Sequence, residues 1–313
     1  MKHRFHQQHF VQAWKTVRAL KGFWLLGPVV ALIGSASVFD YVLSALHTLR
    51  VWQQNPLFGS GAWQTLANAP VGLQIMLMSA LVLLALVMLV VQGAIVRGLF
   101  AHKRTRVQIH DAFAHGIKRL RATVGITILT LALLGIILTL AFALLHMLVS
   151  YNPTWNAALN IMVYTFSGIA IFFLFSVELL ALNLALGANK PATDAIGIAI
   201  ELARRHPVLI LEHNIILALI YAASVVIITL IILALLIPFA LPFFSIVLTV
   251  PSLPSWMSLV PMALLALGGW IALGIITLYN YATWAELTHR LLRAPRLSSR
   301  LVHTARTYIP LFR

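Results

Sequence analysis

The tightest constraint on this chain is the length of its apolar runs. Six stand out: roughly 23–47 (FWLLGPVVALIGSASVFDYVLSALH), 74–97 (QIMLMSALVLLALVMLVVQGAIVR), 124–149, 160–186, a fifth from near Val208 past Pro238, and 259–284. Each exceeds the roughly 20 residues with which an α-helix crosses a hydrocarbon core. Segments of this kind cannot be covered with a water-facing surface. Only 9% of the 313 residues are charged, where a soluble chain carries roughly 25%. The mean hydropathy of +0.95 agrees. The expectation is an all-α polytopic membrane protein with six transmembrane helices, forming a single membrane domain over 1–313.

A net charge of +15 would point to nucleic acid in a soluble domain. Here the positions of the cations give a simpler cause. Lys2, Arg4, Lys15, Arg18 and Lys21 precede the first run, and Arg97, Lys103, Arg104, Arg106, Lys118, Arg119 and Arg121 lie between the second and third. Lys190, Arg204 and Arg205 separate the fourth and fifth, and Arg290, Arg293, Arg296, Arg300, Arg306 and Arg313 follow the sixth. Of 22 Lys and Arg residues, Arg50 alone falls in an alternate loop. The positive-inside rule then predicts an inner (cell) membrane protein with both termini cytoplasmic, no nucleic-acid partner, and a basic tail over 291–313. Trp52, Trp63, Trp155 and Trp256 are expected in an outer aromatic belt, with Trp24 and Trp284 in an inner one. The basic start followed by FWLLGPVVALI and GSAS has the outline of a signal peptide, but its basic region is long and amphipathic, and the run is taken as the first span. Proline at 238 and beyond predicts that the fifth span bends along the outer interface or re-enters.

Each cytoplasmic stretch before an odd-numbered span has one design. FVQAWKTVRALKGFWLL sets Phe10, Trp14, Val17 and Leu20 on one face, with Lys15, Arg18 and Lys21 elsewhere. VQIHDAFAHGIKRLRATVGI sets Ile109, Phe113, Ile117 and Leu120 together, beside Lys118, Arg119 and Arg121. ATDAIGIAIELARRHPVLIL groups Ile196, Ala199, Ile200 and Ala203 and ends in Arg204 and Arg205. Spacings of three and four mark amphipathic helices, with Asp111 and Thr193 or Asp194 placed as N-caps. Anchored on Ala13, Ala112 and Ala195, the copies suggest three units, 5–98, 107–187 and 191–290. A common step of 34 residues links the first two anchors to His47 and His146. In the third copy that step reaches Thr229, and Pro207 interrupts the helix. Each unit is an interfacial basic helix, its cations on anionic headgroups of the cytoplasmic leaflet, followed by a two-span hairpin.

The alternation of QAWKTVRALKGFW and DAFAHGIKRLRATVGI helices with paired spans resembles a broad group of uncharacterised six-helix bacterial membrane proteins. That group includes the membrane domain attached to some glycerophosphodiester phosphodiesterases. The likeness runs from about Phe10 to Leu292 and rests on pattern. In that group the phosphodiesterase chemistry belongs to a separate soluble domain, so the resemblance implies a membrane scaffold and carries over no catalytic residue.

Ionisable groups within spans mark functional candidates. Asp40, Gln92, Glu178, Glu212 and Asn280 form a candidate intramembrane polar cluster, with Arg97, Arg204 or Arg205 as a counter-ion for Glu178. The competing interpretation is interhelical hydrogen-bond glue, worth about 1 kcal/mol or less per bond. Glu212 and Glu286 are expected near headgroups. His47 and His146 lack a third partner for a metal. There is no cysteine, no glycine-rich phosphate loop, no HExxH and no GxSxG. No cofactor or metal is expected. The chain therefore reads as a non-enzymatic, lipid-interacting or membrane-organising protein with unidentified protein partners. A small-solute or ion transporter, with Asp40 and Glu178 as coupling groups, is the alternative.

Overall fold

The computed structural model describes residues 5–31, 70–101, 108–149, 153–249 and 259–293. Among these residues every element is helical. In chain order they are α1 (Phe5–Ala19), α2 (Gly27–Ala31), α3 (Val71–Ala101), α4 (Ile109–Lys118), α5 (Leu120–Val149), α6 (Pro153–Leu182), α7 (Ala192–Arg205), α8 (Pro207–Thr249) and α9 (Leu259–Arg293). A 3₁₀ turn (Lys21–Phe23) joins α1 to α2, and a wide turn (Asn183–Gly187) ends α6. Among the described residues, four segments are long and apolar enough to cross a membrane: Val71–Ala101, Leu120–Met147, Ala158–Gly187 and Pro207–Ala234. The expected first span lies outside the described residues beyond Ala31, as do Asp40, His47 and the tail after Arg293.

The fifth segment departs from expectation. Its helix runs unbroken through Pro238 and Pro242 to Thr249. A proline forfeits one donor and crowds one carbonyl. Ending the helix in an apolar setting would strand several backbone groups at once. The capping expectation is also corrected. α4 is capped by Gln108 and α7 by Pro191, neither through a side-chain bond, while Asp111 and Asp194 stand inside the first turns. There a carboxylate still complements the positive helix end.

Burial is concentrated at one end of the bundle, where α1, α4 and α7 gather. Residues 91–96 of α3, 178–186 at the end of α6 and 280–288 of α9 are buried in continuous runs. The other halves of α3, α5 and α8 expose Leu, Ile and Val. α6 is the central helix: 67% of its membrane-length window is buried, against 6% for that of α8.

The short basic helices bury their grouped apolar faces only in part: Val17, Leu20, Ala199 and Ala203 go inward, whereas Trp14, Ile109, Ile117 and Ile200 stay outside. α1 packs on α9, α4 on α3 and α7 on α6. α1 buries Ala13, Val17 and Leu20 but leaves Trp14 exposed. α4 buries Ala112 and Gly116 and exposes Ile109 and Ile117; α7 buries Ala195, Ala199, Leu202 and Ala203 and exposes Ile200. Small residues win because they let two backbones approach closely, which is worth more than burying a branched side chain at a wider separation. At the α3–α4 crossing Gly93 faces Gly116, and a Cβ on Gly116 would stand 2.5 Å from the Val90 carbonyl oxygen. α2 meets α9 similarly, Gly27 against Gly274. The pair Gly268–Gly269 on α9 serves no such crossing and meets nothing closer than Ile232 among the described residues.

Gly116→Leu should therefore lift α4 from α3. Overpacking of this kind costs about 1–3 kcal/mol. Hydrogen exchange of residues 109–118 should accelerate by at least about tenfold, while Ile117→Ala, on the exposed face, should leave exchange unchanged.

Candidate polar cluster

Three of the membrane-length helices and α9 bring polar side chains together in the buried half of the bundle. Gln92 stands on α3, Glu178 on α6 and Tyr281 on α9; they are 6%, 7% and 3% exposed. Gln92 Nε2 donates to the Tyr281 hydroxyl at 2.8 Å. Thr127 of α5 lies beside the Glu178 carboxyl, and Tyr281 lies within electrostatic range of it. Nearby, Asn214 of α8 donates to Ser176 Oγ at 3.3 Å and to the Ile210 carbonyl at 2.9 Å. Ser176 in turn donates to the Phe172 carbonyl.

Of the sequence candidates, Gln92 and Glu178 share this cluster. Asn280 is buried next to Tyr281, and its Oδ1 has no hydrogen-bond partner among the described residues. Glu212 is buried at the foot of α8 rather than exposed to headgroups. Glu286 is likewise buried, and its Oε1 accepts from Arg290 Nε at 2.8 Å. No cation pairs with Glu178 among the described residues. Arg205, a proposed counter-ion, pairs with Glu201 one turn back on the exposed face of α7, and Arg97 instead exerts its charge on His115. The reason is geometric: the Arg204–Arg205 pair ends a surface helix, whereas Glu178 points into the bundle. Lys15, Arg18, Lys21, Lys118, Arg121 and Arg204 are exposed. Arg119 is half-buried and reaches the Asn189 carbonyl at 3.5 Å.

Sequence reasoning left out Tyr281 and Thr127 as partners, and also an aromatic seat for α1. The ring of His213 meets His9 at 5.1 Å and Trp284 at 4.9 Å, both edge-on, and stacks on Phe10 at 5.6 Å. His9, His213 and Trp284 are almost wholly buried. Their separation along the chain hides them from any periodicity.

A second polar link joins α4 to the end of α6. The wide turn leaves carbonyls without partners in their own helix, and His115 Nε2 lies 3.2 Å from that of Leu186, so the ring N–H donates to it. Asn189, at φ 58°, turns the chain away toward α7, a conformation that Asn tolerates. Burial, with the charges of Arg97, Arg119 and Lys118, pushes the His115 pKa below its ordinary 6.5, although the Leu186 bond opposes this. No protein-family model, curated protein or solved structure matches the chain.

Two outcomes are expected. Tyr281→Phe removes the hydroxyl that accepts from Gln92 and should cost about 1 kcal/mol; in a double-mutant cycle with Gln92→Leu the pair should cost less than the sum of its members. His115 is neutral when docked, so protonation favours release. Docking of α4 is then complete above pH 6.5 and weakens as pH falls below it. Exchange protection of 109–118 should drop between pH 7.5 and 5.5, and His115→Gln should flatten that dependence.

Proposed function

We propose that this chain is a six-span protein of the inner (cell) membrane, with cytoplasmic termini, that engages and organises lipid without chemistry of its own. It is built from three units, 5–98, 107–187 and 191–290, about an axis along the membrane normal. The observation that carries this reading is how the basic helices are seated. α4 packs on the second span of the unit before it, α7 does the same, and α1 closes the circle on α9. Their anchors Ala13, Ala112 and Ala195 are 2%, 0% and 0% exposed. With small residues turned inward, the exposed faces combine cations with Val11, Trp14, Ile109, Ile117 and Ile200. That pairing of charge and apolar side chains suits the headgroup boundary of an anionic leaflet. The likeness to six-helix bacterial membrane proteins belongs to the same reading. The partners are anionic lipids, with room for a protein partner of unknown kind.

One observation favours transport instead: Glu178 is buried with Gln92 and Tyr281 and has no cation beside it among the described residues. Their dense packing against Thr127 and neighbouring helices supports the glue interpretation better.

Lipid co-purified with the full chain from membranes of known composition should be enriched in anionic phospholipid. Replacing Lys118, Arg119 and Arg121 together with Gln should cut that enrichment at least about twofold. An unchanged ratio would overturn the lipid reading of α4. In proteoliposomes under an imposed potential, proton flux through Glu178→Gln should equal that of the unaltered protein. A clear loss of flux would instead promote Glu178 to a coupling group.

A further inference from the structure

Between α8 and α9 runs a groove of about 400 Å³, lined by Ser224 of α8 and by Ala272, Ile275, Ile276 and Tyr279 of α9, with Trp14 of α1 at its basic end. That volume lies within the range of small-molecule sites, about 300–1,000 Å³. The walls are almost wholly apolar. The hydroxyl of Ser224 is turned back to the Ile220 carbonyl at 2.8 Å and asks for nothing from an occupant. Trp14 meets Tyr279 edge-on at 6.0 Å, so two amphipathic rings mark where the groove passes from apolar to polar surroundings.

The charge beyond that gate is one-sided. Lys15 follows Trp14, and Arg18 stands one turn on from Trp14 on the same face of α1. Both are exposed, α1 contains no Asp or Glu, and neither cation has an acidic partner among the described residues. The start of the first span, meanwhile, leaves on another side. Gly274 carries the contact with Gly27, Trp24 and Pro28, and it sits about 150° around α9 from the groove residues, at 3.6 residues per turn.

We propose that the groove holds an acyl chain of an anionic phospholipid whose headgroup is met by Lys15 and Arg18. A bulk lipid would satisfy the apolar walls alone; the two cations at the aromatic end, without an acidic partner among the described residues, select for negative charge. The site rests on the reading of the chain as lipid-engaged but is separable from it, because α4 and α7 take no part.

Native mass spectrometry of the full chain in detergent, titrated with dioleoyl phosphatidylglycerol or dioleoyl phosphatidylcholine, tests this. The unaltered protein should retain one phosphatidylglycerol about tenfold more tightly than phosphatidylcholine. Ala272→Phe, which fills the groove, should weaken retention of that lipid about tenfold. Lys15→Gln with Arg18→Gln, both on the surface and harmless to folding, should erase the preference severalfold and leave phosphatidylcholine unchanged. Undiminished phosphatidylglycerol retention in either variant overturns the site. So does a lowered melting temperature of Ala272→Phe with unchanged lipid binding, since the groove would then be filled by the chain itself. If the triple variant of α4 loses anionic enrichment while Ala272→Phe keeps its lipid, the general reading stands and the groove falls. If neither variant changes, both fall.

Discussion

Hydrocarbon offers no partner to a backbone amide or carbonyl, and the rest of this structure depends on that. Long runs of Leu, Ile and Val must become helices because only a helix satisfies its own backbone bonds. The same pressure carries α8 through two prolines, and at the basic end the broken backbone finds other partners. There, the wide turn after α6 finds a donor in His115, and the left-handed Asn189 redirects the chain. Polar side chains obey it too. Gln92 of α3, Glu178 of α6 and Tyr281 of α9 are buried together, and Gln92 and Tyr281 form a bond that water would otherwise supply.

Once helices are obligatory, what distinguishes one bundle from another is how closely their axes approach. Between lipid-bathed helices there is little hydrophobic drive, so contact area and short backbone distances decide. Gly27 against Gly274 and Gly93 against Gly116 are the tightest points, and the alanines of α1, α4 and α7 extend the theme. Leaving the larger side chains outward gives each basic helix an inner face that fixes it to a long helix and an outer face that combines cations with apolar side chains.

The helical class and the long apolar elements were legible because charge is excluded from lipid at high cost, and that exclusion is written as composition. The existence of α4 and α7 came from amphipathic spacing, though not their ends, and the break before α8 came from Pro207. Which face of α4 is buried was not legible. Periodicity favours Ile109 and Ile117, whereas the contact depends on Gly93, twenty-odd residues away. The same limit applied to the polar cluster. Gln92 and Glu178 were visible as polar residues in apolar runs, but Tyr281 as the partner of Gln92, the absence of a cation beside Glu178 among the described residues, and the burial of Glu212 are long-range facts. Glu201, one turn from Arg205, was a local signal that could have removed that arginine as a counter-ion.

α8 has one more consequence. Its 43 residues make a rod of about 65 Å at 1.5 Å per residue, more than twice the roughly 30 Å of a hydrocarbon slab. Beyond Glu212, His213 and Asn214 near its start, its side chains are mostly greasy and ill suited to stand in water. The surrounding bilayer must swell, or the rod must recline, and each ångström of misfit costs a fraction of a kcal/mol. Such a chain is sensitive to bilayer thickness: short-tailed lipid strains it and long-tailed lipid relieves it.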